Sequence, residues 1–164
     1  MNAGAVAVTK KKRSDEEHHR LLTEAIAPLV VEIFRINGAF LAAGNRLSRD
    51  LGLTSARWQV LGSLQDGPRT IPQIARRMGL SRQSVRRLVD LLTRQKQVEA
   101  LDNPNHRKSD LFRLTAAGVK SFKKLTQRQQ AWHPRVAGNM TPATLIQATA
   151  VLRQLREQLE DDNG

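Results

Sequence analysis

Between Thr70 and Thr115 the chain reads TIPQIARRMGLSRQSVRRLVDLLTRQKQVEALDNPNHRKSDLFRLT. This stretch constrains the fold more than any other. Thr70 is a good N-cap, and Ile71, Ile74, Ala75 and Met78 recur at helical spacing behind it. Gly79 follows the last turn, where a left-handed residue closes a helix at low cost. Ser81 caps a second helix that runs to about Gln95. Val98–Leu101 and Leu111–Leu114 are short strand candidates. The polar segment DNPNHRKSD between them holds Pro104, so it forms a wide wing rather than a two-residue turn. Helix, turn, helix and basic hairpin in that order are the parts of a winged helix-turn-helix.

The second helix carries the chemistry. At about 100° per residue, Val85, Leu88, Val89 and Leu92 gather on one side and must face a core. Gln83, Arg86, Arg87, Asp90 and Arg94 gather on the other, with Arg82 and Ser84 flanking that face at its N-terminal end. Arginine can bond guanine O6 and N7 through two prongs, and glutamine can do the same for adenine. Ser81 and Ser84 have short hydroxyls suited to phosphate oxygens, and a helix N-terminus attracts phosphate through its free N–H groups. Asp90 fits the role of orienting a neighbouring arginine. Arg107 and Lys108 at the wing tip complete the candidate DNA contacts, and His106 beside them adds charge near pH 6.

The rest of the chain agrees with a polyanion partner. Its 27 Lys and Arg against 15 Asp and Glu give a net charge of +12. With no cysteine it has no disulfide, thiolate metal site or thiol switch, which fits a reducing cytoplasm. No apolar run approaches the roughly 18 residues that span a membrane. The KKKR near the N-terminus lacks a following apolar segment, so it does not read as a secretory signal. His18 and His19 are adjacent and point to different helix faces, while His106 and His133 are isolated, so no metal site or other cofactor is expected. There is no P-loop, G-x-G-x-x-G, cysteine nucleophile or G-x-S-x-G, and the chain is not expected to be an enzyme.

Residues 1–13 read as a disordered basic arm ending in Lys10, Lys11, Lys12 and Arg13. Ser14 and Glu17 form a capping box, predicting a short helix over roughly 15–27. Pro28 then suits the first turn of a new helix reaching about Leu51. Leu29, Ile33, Ile36, Phe40, Leu47 and Leu51 make its apolar stripe, with Gly44 at the missing step, and need cover from the C-terminal helices or a partner chain. Thr54 caps a helix through about Gln65. Thr115 caps another that Pro134 should stop near His133, and Thr141-Pro142 starts the last. The expected organisation is 1–13 arm, 14–52 N-terminal helices of a dimerisation layer, 53–115 DNA-binding lobe, and 116–164 C-terminal dimerisation helices, intertwined as one mainly α domain with a small β-hairpin wing.

Four segments in order resemble the MarR family of bacterial transcriptional regulators: LGLTSARWQVLGSL at 51–64, TIPQIARRMGLSRQSVRRLVDLL at 70–92, NPNHRK at 103–108 and RLTAAG at 113–118. The capping-box helix looks like the extra N-terminal helix of some members. The resemblance implies a homodimer that places one winged helix per subunit on pseudo-palindromic half-sites roughly 10 bp apart. It implies repression of a nearby gene and release by a small aromatic or anionic effector. The effector pocket it implies lies between the dimer layer and the DNA-binding lobe, with Phe40, Asn45, Arg46, Arg49 and Trp58 as lining candidates. An arginine near an indole would suit an aromatic carboxylate. Three positions depart from the family pattern. Asn103-Pro104-Asn105-His106-Arg107-Lys108 lacks both acids of the usual Asp-Pro-X-Asp-Arg-Arg wing, leaving Asp102 or Asp110 to steady Arg107. Lys96 replaces a helix-ending glycine, and Gln97 an apolar residue. A protein-interaction module or a non-specific nucleic-acid binder are the alternative functions.

Overall fold

The structure, a computed structural model, describes residues 3–104 and 109–162, with residues 3–14 as backbone only. It is mainly α with one hairpin. The helices are α1 (Ala3–Ser48), α2 (Ser55–Ser63), α3 (Ile71–Met78), α4 (Arg82–Arg94), α5 (Ala116–Ala137) and α6 (Pro142–Asp162). A single 3-10 turn, Arg49–Leu51, links α1 to α2. Strands β1 (Val98–Leu101) and β2 (Leu111–Leu114) pair antiparallel, with Val98 opposite Leu114 and Leu101 opposite Leu111.

Local chemistry sets most of these boundaries. The Thr54, Thr70, Ser81 and Thr115 side chains accept from the backbone N–H of Arg57, Gln73, Ser84 and Gly118, each relieving a free donor of the first turn. Thr70 and Gln73 complete a reciprocal capping box. Gly79 closes α3 at φ 62°, and its tight turn swings α4 across α3. Arg69 exchanges backbone hydrogen bonds with Phe112, so a third short strand segment joins the hairpin to the lobe.

One core holds the lobe. Val60, Leu61, Ile74, Val85, Val89 and Leu92 are fully buried where α2, α3 and α4 meet. Val98 and Phe112 bring the hairpin into the same core, and Leu125 brings α5. Each such side chain contributes about 1.5–3 kcal/mol. Gly118 is required where α5 starts: a Cβ there would lie 2.0 Å from the Gln97 carbonyl oxygen. Gly44 serves similarly where α1 crosses α2, 2.6 Å from the Ser55 Oγ.

The N-terminal third differs from expectation. The disordered arm and the helix break are replaced by one helix of 46 residues. Ser14 lies inside it, so no helix begins there. Residues 5–27 contain neither Gly nor Pro and are rich in Ala, Leu, Glu, Lys and Arg, so nothing stops propagation. Pro28 forfeits one backbone hydrogen bond, to the Glu24 carbonyl, and the long helix continues through that loss. Pro134 likewise fails to stop α5, which continues to Ala137 and ends at Gly138. Lys96 does adopt the left-handed conformation, at φ 56°.

Among the described residues, α1 packs on the rest of the chain chiefly at its C-terminal end, against α2 and α5. Phe34 is 72% exposed, and Leu22, Val31 and Ile36 are exposed beside it. No α6 side chain is fully buried, and Ile146 is 69% exposed. The membrane expectation also needs correction. Although charges interrupt every apolar run, Asp15–Leu51 contains an 18-residue window of mean hydropathy 1.6, long and apolar enough to cross a membrane by length and composition. A helix apolar on several faces requires cover on several faces.

Candidate nucleic-acid interface

The interface is built around α4. Its inner side chains Val85, Val89 and Leu92 are buried and fix its rotation. The opposite side is therefore presented to solvent: Arg82, Gln83, Arg86, Arg87 and Arg94 are all exposed. Among the described residues none of these arginines forms an ion pair, and Asp90, expected to orient one, makes no such contact. The guanidinium groups are thus available to an outside acceptor. Ser81 and Ser84 cap the helix, with the Ser81 Oγ accepting from the Ser84 N–H at 3.1 Å and donating to the Ser84 Oγ at 2.8 Å. Both hydroxyls are exposed at the helix N-terminus, where an anion is favoured.

The helix ends in a Schellman motif. The Gln97 N–H donates to the Leu92 carbonyl at 2.9 Å, and the Lys96 N–H to the Thr93 carbonyl at 2.9 Å. The Thr115 hydroxyl donates to the Lys96 carbonyl at 2.6 Å, tying the end of α4 to the start of α5. At the wing, Asn103 Nδ2 donates to the Ser109 carbonyl at 2.8 Å and bridges the loop base. Arg107 and Lys108, with Asn105 and His106, lie outside the described residues. Asp102 and Asp110 are exposed at the wing base.

Cations beyond those predicted surround the helix. Arg76 and Arg77 occupy the last turn of α3, and Arg77 is held by Asp66 at 2.7 Å. Arg57 donates to the Gly52 carbonyl at 2.8 Å and reaches Gln95 at 3.5 Å. The RR of α3 was visible in the sequence as two charges opposite Ile74 and Ala75. The Arg57–Gln95 contact joins residues far apart in the chain and had no local signal.

A second feature lies between α1, α2, α5 and α6: an open cavity of about 910 Å³. It brings together two of the five ligand candidates, Phe40 and Trp58. Arg46 instead lines a separate cleft of about 380 Å³ with Trp132 and Arg135. Asn45 and Arg49 line neither; the Asn45 Oδ1 accepts from the Ser55 N–H at 2.7 Å and so braces the start of α2. Trp132 and His133 line the larger cavity and were missed. Phe40 and Trp132 meet edge to face, with centroids 6.1 Å apart.

One ion pair ties α5 to the turn that follows α1. Arg128 of α5 forms a two-pronged contact with Asp50, including Nη2 to Oδ2 at 2.6 Å, and donates to the Leu47 carbonyl at 3.0 Å. The hydrogen bond from Arg128 holds the Asp50 carboxyl below the usual carboxylate range, against the opposing effect of desolvation.

Comparison with known proteins agrees with this geometry. The sequence profile of the MarR family matches residues 51–109. An uncharacterized protein of Mycobacterium tuberculosis H37Rv is 34% identical over 134 residues, covering 82% of this chain and 94% of the relative. A MarR mutant from E. coli, solved in complex with operator DNA, superposes with a TM-score of 0.71 at 24% identity, covering 79% of this chain and 94% of its own. Bordetella bronchiseptica BpsR, whose DNA binding is described as regulated by 6-hydroxynicotinic acid, gives a TM-score of 0.70 at 20% identity, covering 79% and 98%.

Proposed function

The chain belongs to the MarR family, and from that premise we propose that it is a sequence-specific regulator of transcription that binds duplex DNA as a homodimer. The observation that carries the reading is the solvent face of α4. Arg82, Gln83, Arg86, Arg87 and Arg94 stand there without intramolecular ion pairs, on a helix whose rotation is locked by buried Val85, Val89 and Leu92. A row of free bidentate donors on a helix that crosses a helix-turn-helix is suited to base edges in a major groove. Ser81, Ser84 and the α4 N-terminus supply phosphate contacts, and Arg107 and Lys108 of the wing supply the flanking ones.

The exposed apolar faces of α1 and α6 support dimerisation. Covering Phe34, Val31, Ile36 and Ile146 with a second copy removes apolar surface that a monomer leaves wet. The same burial accounts for the hydropathic window in α1 without a membrane. Two recognition helices then address a pseudo-palindromic operator. In this reading the protein represses, is released by a small molecule in the cavity beside Phe40 and Trp58, catalyses no reaction, and works in the bacterial cytoplasm.

The double substitution Arg86→Ala/Arg87→Ala tests the assignment. Each bidentate base contact is worth about 1–3 kcal/mol, so the variant should remain a folded dimer and lose at least tenfold in affinity for its operator. Full affinity in that variant contradicts the reading. Light scattering at micromolar concentration should give a dimer, and a folded monomer contradicts it.

A further inference from the structure

Two helices join the DNA-binding lobe to the apolar faces assigned above to dimerisation: α1, and α5, which leads on to α6. Each is anchored in the lobe at one end. At the end of α1 the buried Ser48 hydroxyl lies 2.7 Å from the Gly44 carbonyl and 3.0 Å from that of Leu53, and Asn45 braces the start of α2. At the start of α5 the Thr115 hydroxyl holds the Lys96 carbonyl, and Leu125 enters the lobe core. From there α1 and α5 run antiparallel, with Leu47 beside Arg128 and Phe40 beside Trp132, and the space between them opens into the cavity of about 910 Å³. α6 faces the Gly79 turn of the lobe across an open groove of about 780 Å³, and none of its side chains is fully buried. The angle at which α1 and α5 leave the lobe is therefore braced mainly where they part, and Arg128 stands at that place.

The Arg128 guanidinium donates to both Asp50 carboxylate oxygens and to the Leu47 carbonyl. Leu47 lies in the last turn of α1, where carbonyls lack partners inside the helix and a cation is favoured. A planar fork on three acceptors fixes an orientation, which a single point of contact does not. From this placement we propose that Asp50 and Arg128 are positioning residues for DNA recognition: their pair sets the tilt of each lobe on α1 and α5, and so the half-site spacing that the dimer accepts. The proposal deepens the reading of a dimer on duplex DNA and rests on it. The leverage is sufficient. A lobe of this size is roughly 20–25 Å across, so a tilt of about 10° at its base moves α4 by about 4 Å. That is close to the rise of one base pair, about 3.4 Å. Neither residue belongs to the reading face of α4, so contact with one half-site does not depend on them.

The probes are synthetic duplexes. The wild-type chain first enriches its sites from duplexes with a randomised stretch long enough for two half-sites. Duplexes are then made with the half-sites one or two base pairs closer together or further apart, and one with a single half-site. Fluorescence anisotropy compares wild type, Asp50→Asn, Arg128→Gln, Arg128→Lys and the double variant Asp50→Asn/Arg128→Gln, each shown to be a folded dimer by circular dichroism and light scattering. Wild type should bind one spacing about tenfold more tightly than its neighbours, because two linked sites reinforce each other only when both can be engaged. Each variant should flatten that preference to about threefold or less, the double variant no further than the single ones. Arg128→Lys keeps the charge but loses the fork, so it should resemble Arg128→Gln. All should bind the single half-site as wild type does. The pair is partly exposed, so its loss leaves the fold standing; if Asp50→Asn fails to fold, Arg128→Lys carries the test. Variants with the wild-type spacing profile overturn the proposal. So does a variant that loses affinity for every duplex alike, the single half-site included, since the pair would then only support the fold. A wild-type chain that enriches a half-site but prefers no spacing overturns it too and leaves sequence-specific binding standing. If no sequence is enriched, the DNA reading itself falls, and the proposal with it.

Discussion

Lys96 should be one of the most profitable positions in the chain at which to remove backbone strain. It is the single described non-glycine residue with positive φ, at 56°. It occupies the left-handed position of the Schellman motif that ends α4, where a Cβ crowds the following carbonyl at a cost of about 1–2 kcal/mol. Glycine removes the crowding and adds about 0.5–1 kcal/mol of unfolded-state entropy. The net gain for Lys96→Gly is therefore about 0.5–1 kcal/mol. Lys96→Ala is the control, because it removes the charge and stem but keeps the Cβ. Both hydrogen bonds of the motif join backbone atoms, and the one accepted from Thr115 uses the Lys96 backbone carbonyl, so both variants retain them. Urea unfolding at one fixed protein concentration compares the three chains. Glycine should exceed alanine by about 0.5–1 kcal/mol with unchanged slope, or a few degrees in melting temperature. The two variants should bind operator equally, since they lose the same charge. A glycine variant no more stable than the alanine variant would refute the strain argument.

Other perturbations test other joints. Gly118→Ala places a Cβ 2.0 Å from the Gln97 oxygen; the backbone must move, and denaturant titration should show a loss of about 1–3 kcal/mol or more. The Asp50–Arg128 pair should be pH-dependent with a definite sign. The folded Asp50 pKa is lowered, so its contribution is present above the unfolded value near 3.9 and is lost as pH falls through the lower folded one. The melting temperature of Asp50→Asn should lie below wild type at pH 7 and converge on it only as pH falls through the lowered folded value, under the ordinary carboxylate range; a gap that persists once Asp50 is protonated contradicts the pairing. Operator affinity should fall steeply with salt, and Arg82→Ala, if Arg82 contacts phosphate, should reduce the log–log slope by about one.

Much of the lobe was legible because its signals are local. Thr54, Thr70, Ser81 and Thr115 each announce a helix start within four residues, and Gly79 announces an end. The period-2 strands of the hairpin were placed to the residue. Proline was read too strictly. Pro28 and Pro134 each remove one hydrogen bond, a cost that a long helix bears, so neither ended its element. Lys96 was recognisable as misfit chemistry for its position, but only the structure shows that the chain accepts the strain and keeps the Schellman geometry. The cavity was the least legible part. Phe40 and Trp58 were found, but Arg46 turns to another side of α1, Asn45 is spent on bracing α2, and Trp132 arrives from a helix far along the chain. Such contacts depend on how α1 crosses α5, which no local pattern encodes.

If the exposed face of α4 reads base sequence, one fragment of DNA must be preferred over another of equal length and charge. The most direct test is fluorescence anisotropy of the purified protein on the DNA upstream of its own gene and on a scrambled fragment, each at two salt concentrations. Tight binding to the native fragment alone is expected, weakening sharply as salt rises. Equal, weak binding to both fragments would contradict it: the positive charge would then confer general affinity for nucleic acid, and the exposed arginines of α4 would read no sequence there.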